Sequence, residues 1–336
     1  MKKLAVLMPT YNCAAYLKES IDSILNQTFC DFDFYIYDDC STDNSSEIIK
    51  SYSDNRIFYR KNDSNLGISK TLNKGLEELL SKYEFIARMD ADDWAFPERL
   101  QQQIDFLDDN QSLVFCGTQG FWLNDMNKMP NSGWSYPLNY NFIKLYLLFS
   151  ASFGHSSILF RSKSLKINDL KYNEEIRTCE DWNLWVEISK IGIVQNMPDF
   201  LMKYRILPNS NHRSAENIKL HLKERSIIIS DYWKTFDINL SPEQVFEYYY
   251  ETENSIKVDF AEKLKTLINC FNKLYLNHAN NLESDDREKF SYLLARKMAG
   301  FWKRSNVSKI NPTIWFLMLS KVKFISFIRL IKSQLN

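Results

Sequence analysis

The sequence predicts an α/β fold with a mostly parallel sheet flanked by helices, followed by a mainly helical C-terminal region. In the first third of the chain, short apolar runs alternate with stretches of 3.6-residue periodicity, a pattern typical of strands joined by helical crossovers. From about Ala215 the sequence becomes rich in Tyr and Lys and is mostly helical in character. Of the 336 residues, 45% are hydrophobic and 15% are aromatic, which provides a packed core and argues against disorder.

Four strands and three helices are predicted in the alternating part. The predicted strands are Leu4–Met8, Phe32–Tyr37, Ile57–Arg60 and Phe85–Met89. The predicted helices between them are Tyr16–Leu25, Asn44–Tyr52 and Ser69–Leu80. Because strands joined by right-handed helical crossovers run parallel, their carboxyl ends meet at one edge of the sheet, and ligands bind beyond that edge.

Polar segments follow each predicted strand and therefore lie at the expected ligand site. They are "PTYN" (9–12), "DDCSTD" (38–43), "NLG" (65–67) and "DADD" (90–93). Helix capping is one explanation, since Asn12, Asp43 and Ser69 can each cap the helix that follows. Capping does not explain Asp38 and Asp39, which lie at a strand end, where a carboxylate can accept hydrogen bonds from a base or a ribose.

The segment "RMDADDWAFPERL" (88–100) places Asp90, Asp92 and Asp93 within four positions, where like charges repel unless something compensates them. A solvated acidic turn is the alternative to a metal site. The chain has eight glycines, the first at Gly67, so it lacks the glycine-rich loops that bind phosphate in dinucleotide-binding and P-loop proteins. A bound diphosphate would need another compensating charge, and Mn²⁺ or Mg²⁺ held by the carboxylates can supply it.

Several sequence blocks occur in order over residues 1–215: "LAVLMPTYNCAAYLKESIDSILNQTF", "DFYIYDDCSTDNS", "NLGISKTLNKGL", "FIARMDADDWAFPERL" and "CEDWNLWVEI". Together these blocks resemble the inverting family 2 glycosyltransferases of the GT-A fold, of the bacterial surface-polysaccharide type. The resemblance implies a GT-A catalytic domain at residues 1–215. Residues 216–336 then form a helical C-terminal region with a basic, apolar tail.

The resemblance also implies roles for individual residues. Asp39 would contact a uracil, Asp90 would approach the ribose, Asp92 would bind the metal ion and Asp181 would be the catalytic base. The implied nucleotide-sugar site consists of Pro9, Thr10, Tyr11, Asn12, Asp39, Gly67, Arg88, Asp90 and Ala91. Leu207 departs from the family pattern, since many members carry a histidine there, and no metal ligand is implied at this position.

Sugar transfer from a nucleoside diphosphate needs a stabilised leaving group and a base that takes the acceptor proton on the opposite face of the sugar. Asp181 is suited to the second task, and such assistance is worth on the order of 10²–10⁴ in rate. An N-cap aspartate on a helix with a buried aromatic stripe fits the same local pattern. His155, Glu180 and Trp182 are further candidates for contacts with the acceptor or the phosphates, with structural roles as the alternative.

Charge is distributed unevenly along the chain. After Glu288 there are ten Lys or Arg residues and no acidic residue, so this part carries +10 and, the total being zero, the rest carries −10. The apolar end of this tail is interrupted by Lys321, Lys323 and Arg329, which disfavours a membrane span and favours a helix lying on an anionic membrane surface. A helix packed on the protein itself is the alternative. Nucleic acid is not expected as a partner, because the tail's aromatic residues lie among aliphatic ones.

The predicted location is the cytoplasm, peripheral to the inner face of the plasma membrane. The six cysteines are scattered without a C-x-x-C pair, and the apolar part of "MKKLAVLM" is too short for a signal sequence.

The predicted activity is that of a metal-dependent hexosyl- or N-acetylhexosaminyltransferase that uses a UDP-sugar and a glycan or lipid-linked glycan acceptor. A nucleotidyltransferase that makes the sugar nucleotide would share the sheet and the metal-binding Asp, but usually opens with a glycine-rich basic loop. A non-catalytic sugar-nucleotide-binding protein would need neither Asp181 nor the tail. The donor sugar, the linkage and the oligomeric state are left open by the sequence.

Overall fold

The computed structural model describes residues 2–123, 133–207, 215–249 and 260–304. The chain divides into two compact units, Met1–Ile218 and Lys219–Asn336. All the predicted nucleotide-sugar, metal and catalytic residues belong to the first unit.

The described residues form nine strands and eleven α-helices. The strands are β1 (Lys2–Thr10), β2 (Phe32–Asp38), β3 (Ile57–Lys61), β4 (Tyr83–Arg88), β5 (Trp94–Ala95), β6 (Leu113–Leu123), β7 (Gly133–Trp134), β8 (Leu159–Arg161) and β9 (Ile193–Arg205). The helices are α1 (Ala14–Leu25), α2 (Ser45–Lys50), α3 (Ile68–Leu79), α4 (Arg99–Asp109), α5 (Tyr140–Leu147), α6 (Ser162–Ile167), α7 (Glu180–Ile191), α8 (Ala215–Lys234), α9 (Pro242–Tyr249), α10 (Phe260–His278) and α11 (Ser284–Arg304). Short 3-10 helices occur at His155–Ser157 and Ala279–Asn281.

The alternating first part of the chain is confirmed. Each of the seven elements predicted there is present, and each end lies within two residues of its predicted position. Apolar runs locate the central strands well because these strands are almost completely buried, as in β1, where every residue from Leu4 to Thr10 is buried.

A single sheet runs in the order β3-β2-β1-β4-β8-β6-β9-β5, with β7 paired to β6. The strands β3, β2, β1 and β4 are parallel, as predicted. Beyond β4 the sheet is mixed, since β8 runs antiparallel to both β4 and β6, whereas β6 and β9 are parallel. The expectation of a mostly parallel sheet therefore holds for the first half, where the ends of β1 and β2 meet at the pair Thr10 and Asp38.

Helices on the sheet are fixed by close apolar packing. On α1, the side chains of Leu17, Ile21 and Ile24 are completely buried. On α3, a Cβ at Gly75 would lie 2.5 Å from Leu7 Cδ1, so this helix can approach β1 only because glycine stands there. Such packing keeps the loops at the strand ends in fixed positions.

The second unit is helical where the structure describes it. Its core includes Trp233, Leu267, Phe271 and Leu294, all nearly inaccessible to solvent. Among the described helices, none has the length and apolarity needed to span a membrane. The apolar end of the predicted tail, residues 311–336, lies outside the described residues.

Candidate active site

The loops after β1 and β2 are joined by hydrogen bonds in which side chains of one loop bind the backbone of the other. Asn12 Oδ1 accepts a hydrogen bond from the Thr42 amide at 2.8 Å, and the Asn12 amide donates to Ser41 Oγ at 3.0 Å. Asn12 and Cys40 both adopt positive φ, 51° and 64°, which a tight loop imposes. The two loops therefore form one rigid rim at the carboxyl ends of the strands.

Of the three suggested helix caps, only Asp43 acts as one. Its Oδ1 accepts from the Ser45 amide at the start of α2, and its Oδ2 accepts from the Ala14 amide at the start of α1, both at 3.0 Å. Capping by Asn12 is wrong, because its side chain binds the other loop. Capping by Ser69 is also wrong, because this residue lies inside α3 and donates to the carbonyl of Ile176.

Asp38 and Asp39 are both buried but differ in function. Asp38 is fully buried, and its carboxylate accepts hydrogen bonds from the Ser41 amide, Ser46 Oγ and Tyr59 OH, so it stabilises the rim rather than a ligand. Burial opposes ionisation of Asp38, but these donors outweigh it and hold its pKa below the usual value.

Asp39 points toward the loop that precedes α3. It accepts hydrogen bonds at 2.8 Å from Asn62 Nδ2, the Leu66 amide and the Gly67 amide. A carboxylate offers about four acceptor positions, so Asp39 keeps capacity for one more donor.

The rim presents an open surface next to Asp39. Pro9 and Thr10 are buried in β1, whereas Tyr11 is 45% exposed and Asn12 is exposed. Gly67 has φ 84°, and a Cβ added there would meet no atom within 4 Å, so a ligand can approach this backbone closely. Of the residues predicted to bind the nucleotide, Tyr11, Asn12 and Gly67 thus have accessible surface near the strand ends.

Asp90, Asp92 and Asp93 come together just after β4. Each contributes one carboxylate oxygen to a group in which all three atoms lie within 4.8 Å of one another. Arg88, whose side chain is 1% exposed, forms an ion pair with Asp90. Although burial alone would raise the pKa of Asp90, the positive charge of Arg88 outweighs it and keeps this pKa below its usual value. Ala91, between the acids, is buried.

Ser156 bridges Asp90 and Asp93. Its Oγ lies 2.8 Å from Asp90 Oδ2, contacts Asp93 Oδ2 and accepts a hydrogen bond from Arg88 Nη1 at 2.9 Å. One hydroxyl proton cannot serve two carboxylates. Burial, followed by the negative charges of Asp92 and Asp90, raises the pKa of Asp93 well above its usual value, so a protonated Asp93 can donate to Ser156.

Among the described residues, no other side chain or backbone amide donates a hydrogen bond to the Asp92 carboxylate, although the charges of Arg88 and Arg205 act on it. The carboxylate accepts a hydrogen bond from the amide of Asp92 itself, and among the residues that the structure describes it forms no ion pair. Burial and then the charge of Asp90 raise the pKa of Asp92 to about 7 from 3.8. Because oxygen ligands suit Mg²⁺ and Mn²⁺, the three acids fit a divalent cation. Arg88 and Ser156 thus compensate part of the negative charge of the cluster.

A second pair of acids, Glu180 and Asp181, begins α7. The Asp181 Oδ1 atom accepts a hydrogen bond from the Trp182 amide at 2.6 Å. Glu180 is 7% exposed, and its Oε2 is buried without a hydrogen-bond partner among the described residues. Burial, followed by the charge of Asp181, raises the pKa of Glu180 to about 8. The charges of Arg88 and Asp90 also act on Glu180, so the two acidic clusters influence each other electrostatically.

His155 and Trp182 take structural positions. His155 Nε2 lies 2.8 Å from Tyr172 OH, and burial together with the charge of Arg88 lowers the pKa of His155 well below its usual value, so its imidazole is neutral. Trp182 is 3% exposed, and its ring N–H donates to the carbonyl of Leu147. The burial of Trp182 leaves no ring face for an acceptor and favours the packing interpretation.

Sequence reasoning missed three residues that hold the acidic turn. Besides Ser156, the Arg205 amide donates to Asp93 Oδ1 and its Nε to the Asp92 carbonyl, both at 2.9 Å. Arg99, fully buried, donates to the carbonyl of Arg88 at 2.8 Å. Ser156 lies 66 positions along the chain from Asp90. Arg205 lies 112 positions from Asp93 and 113 from Asp92, and no local sequence pattern marks such pairs.

Comparison with known proteins identifies the family. Residues 5–167 match the family model described as "Glycosyl transferase family 2". The chain is 32% identical over 256 residues to the uncharacterized glycosyltransferase MJ1057 of Methanocaldococcus jannaschii, covering 70% of this chain and 86% of that protein. It is 31% identical over 206 residues to the amylovoran biosynthesis glycosyltransferase AmsE of Erwinia amylovora, covering 57% of this chain and 75% of that protein.

Solved structures share the fold. A structure of S. aureus TarS 1–349 in complex with UDP-GlcNAc has a TM-score of 0.58 at 18% identity and covers 90% of each chain. The mannosyltransferase PcManGT from Pyrobaculum calidifontis, in complex with GDP-Man and Mn²⁺, has a TM-score of 0.52 at 13% identity and covers 92% of this chain and 88% of that one. The fold and the relatives together define a glycosyltransferase with the GT-A fold. Within that class, the chain belongs to glycosyl transferase family 2.

Proposed function

We propose that the protein transfers a sugar from a UDP-sugar to an acceptor hydroxyl with inversion at the anomeric carbon, and that a divalent cation assists. The observation that carries this proposal is the group of three acids after β4, in which Asp92 forms no ion pair within the described residues and has its pKa raised to about 7. A site of this charge stabilises a cation and, through it, the diphosphate of a donor.

Asp92 would hold the cation, and Asp90 lies close enough to contribute. When bound, the cation supplies positive charge that stabilises the leaving diphosphate. The PcManGT complex with GDP-Man and Mn²⁺ supports a metal in a protein of this fold. Ser156, Arg205 and Arg99 keep the acidic turn in place, so Asp92 is presented without reorganisation.

The nucleotide would lie along the rim, with the base at Asp39, the ribose toward Asp90 and the backbone of Gly67 against the ligand. The remaining acceptor position of Asp39 suits an N–H group, which the uracil ring offers. The TarS complex with UDP-GlcNAc supports a uridine nucleotide and an N-acetylhexosamine or a hexose as the transferred sugar.

Asp181 would be the general base. It accepts the proton of the acceptor hydroxyl while the acceptor oxygen bonds to the anomeric carbon and the bond from that carbon to the diphosphate oxygen breaks. The hydrogen bond from the Trp182 amide orients the Asp181 carboxylate. Attack from the face opposite to the leaving group inverts the anomeric carbon.

Proton NMR of donor hydrolysis tests the proposal. Incubation of α-linked UDP-GlcNAc, UDP-glucose and UDP-galactose, each with Mn²⁺, is expected to release UDP and to give the β-anomer of one sugar before mutarotation. GDP-mannose serves as the comparison nucleotide. Initial release of the α-anomer would contradict inversion, and preferential use of GDP-mannose would contradict uridine.

The acceptor is proposed to be a glycan or lipid-linked glycan at the inner face of the plasma membrane, where the enzyme binds through its C-terminal tail. AmsE, a relative named for amylovoran biosynthesis, supports a polysaccharide product. Ten basic and no acidic residues follow Glu288, and each Lys or Arg near an anionic leaflet contributes about 1 kcal/mol.

Full-length protein is therefore expected to cosediment with anionic vesicles at low salt, and truncation before Asn311 is expected to abolish this while UDP binding persists. High salt should weaken binding only in part, because apolar contacts are not screened. Neutral phosphatidylcholine vesicles provide the control. If full-length protein stays in the supernatant, or if truncation unfolds the catalytic unit, the tail is a structural element.

A further inference from the structure

Three aromatic side chains, Trp122, Tyr136 and Tyr204, lie beside the active-site acids and are called the aromatic wall here. Trp122 on β6 and Tyr204 on β9 are partners in the parallel strand pair, and their ring centroids lie 5.5 Å apart at 87°. All three side chains are only partly buried. They pack against the hydrophobic core and keep part of their surface open.

The position of the wall relative to the acids follows from the contacts of neighbouring residues. The amide of Arg205, which follows Tyr204, donates to Asp93 Oδ1 at 2.9 Å. Tyr136 packs on Tyr146, and the carbonyl of the next residue, Leu147, accepts from the ring N–H of Trp182, which follows Asp181. The electrostatics agree, since after burial the charges of Asp93, Asp90, Asp92 and Asp181 all raise the pKa of Tyr204. Tyr136 lies on a different segment, yet after burial the charges of Tyr146 and Asp181 raise its pKa too. Two separate parts of the chain therefore bring aromatic rings to the neighbourhood of Asp181.

Trp134 supports the wall from behind. It is 7% exposed, contacts Trp122 and Tyr204 with centroids at 5.2 and 6.3 Å, and lies flat on Gly120, where a Cβ would come within 2.2 Å of its ring. Gln119 accepts a hydrogen bond from the Tyr136 amide at 2.7 Å. The rings of the wall are thus held by packing and by backbone hydrogen bonds before any ligand arrives.

The polar atoms of the wall are available for binding. Within the described ranges of the chain, no hydrogen bond is formed by Trp122 Nε1, Tyr136 OH or Tyr204 OH. None of these three atoms belongs to the buried polar atoms that lack a hydrogen-bond partner. By contrast, Trp134 Nε1 donates to the carbonyl of Thr118. Aromatic rings that carry a free polar edge bind ligands with both an apolar face and hydrogen-bonding groups.

We propose that the aromatic wall binds a pyranose ring of the acceptor and presents one of its hydroxyls to Asp181. This inference rests on the proposed function and narrows the acceptor to a carbohydrate ring at the reacting end. A pyranose has a face of C–H groups that stacks on an aromatic ring and hydroxyls at its rim that meet the polar atoms. An open-chain polyol or a bare lipid phosphate has no such face.

Saturation-transfer NMR on the full chain tests this directly with the methyl β-glycosides of glucose, galactose and N-acetylglucosamine, and with sorbitol as the open-chain comparison. At least one glycoside is expected to receive saturation at its ring C–H protons, and sorbitol is expected to receive none. UDP with Mn²⁺ should not displace the glycoside. If no glycoside binds, if sorbitol binds equally well, or if UDP displaces the glycoside, the inference is overturned.

Variants locate the binding. Trp122→Ala should abolish saturation, and Tyr204→Phe, which keeps the ring, should raise the glycoside Kd about fivefold through loss of one hydrogen bond. Phe200→Ala is the matched control, since this ring is 39% exposed and packs on Phe121 instead. If Trp122→Ala does not fold, Tyr204→Phe decides, and an unchanged Kd refutes the assignment. Donor hydrolysis needs no glycoside, so failure here is distinct from failure of the proposed function.

Discussion

Asp181→Asn is expected to lower sugar transfer by about 10²-fold or more and to leave UDP affinity nearly unchanged. Asn keeps the size of the side chain and can still accept the hydrogen bond from the Trp182 amide, but it cannot take a proton. The loss should therefore fall on turnover. The rate of UDP release from the preferred donor sugar, measured beside calorimetric UDP binding, separates the two effects.

Two further carboxyls on α7 provide controls. Glu187→Gln removes a carboxylate whose side chain is 45% exposed on the same helix and should leave turnover unchanged. Glu180→Gln should retain most activity below pH 8, because the raised pKa of Glu180, about 8, already keeps it neutral there. Near-normal turnover by Asp181→Asn, or an equal loss in Glu187→Gln, would refute the base assignment.

Asp92→Asn is expected to abolish most turnover and yet to make the metal-free protein more stable above pH 7. In the proposed mechanism Asp92 holds the cation that stabilises the leaving diphosphate, so its replacement lowers turnover. Stability rises because Asp92, with its pKa at about 7, is an acid that the fold keeps from ionising. Tm in EDTA at pH 8 should be several degrees higher than in the wild type.

The direction of this effect follows from proton binding. The pKa of Asp92 is 3.8 in the unfolded chain and about 7 in the folded chain. The folded chain therefore binds the proton more tightly, and folding stability falls as the pH rises from 3.8 to about 7. Below pH 3.8, the wild type and Asp92→Asn should have equal Tm, because Asp92 is then neutral in both the folded and the unfolded chain. Because a cation requires the ionised carboxylate, Mn²⁺ affinity of the wild type should rise through the same interval.

Asp63→Asn is the matched control for Asp92→Asn, because Asp63 is exposed on the loop after β3. It should change neither the Tm in EDTA nor the Tm gained with Mn²⁺. The account is contradicted if Asp92→Asn is less stable than the wild type in EDTA at pH 8. It is also contradicted if the Tm of Asp92→Asn rises with Mn²⁺ as much as the Tm of the wild type does, and Asp92 then has a structural role only.

The sequence predicts the strands β1 to β4 and the helices between them well, because the sequence patterns that mark them are local. Strands β1, β2 and β4 are buried enough to stand out as apolar runs, and polar residues gather where those runs stop. The acids at positions 90, 92 and 93 could be recognised as a group since a strand end holds consecutive residues together.

Other features depend on contacts that no local pattern encodes. Asp38 and Asp39 are adjacent in sequence, yet their surroundings differ. Asp38 is enclosed by Ser46 and Tyr59, whereas Asp39 points toward the loop that precedes α3. Ser156 is an ordinary serine until β8 carries it beside β4. The aromatic wall is likewise assembled from three segments whose pairing is set by the mixed half of the sheet.

Calorimetric titration of UDP into the wild-type protein, with Mn²⁺ and then with EDTA, tests most directly whether the acidic cluster holds a donor through a divalent cation. UDP is expected to bind with Mn²⁺ and to lose most of its affinity in EDTA, and Asp92→Asn should show the weak binding under both conditions. Equal UDP affinity with Mn²⁺ and with EDTA in the wild type would contradict a metal-dependent donor site.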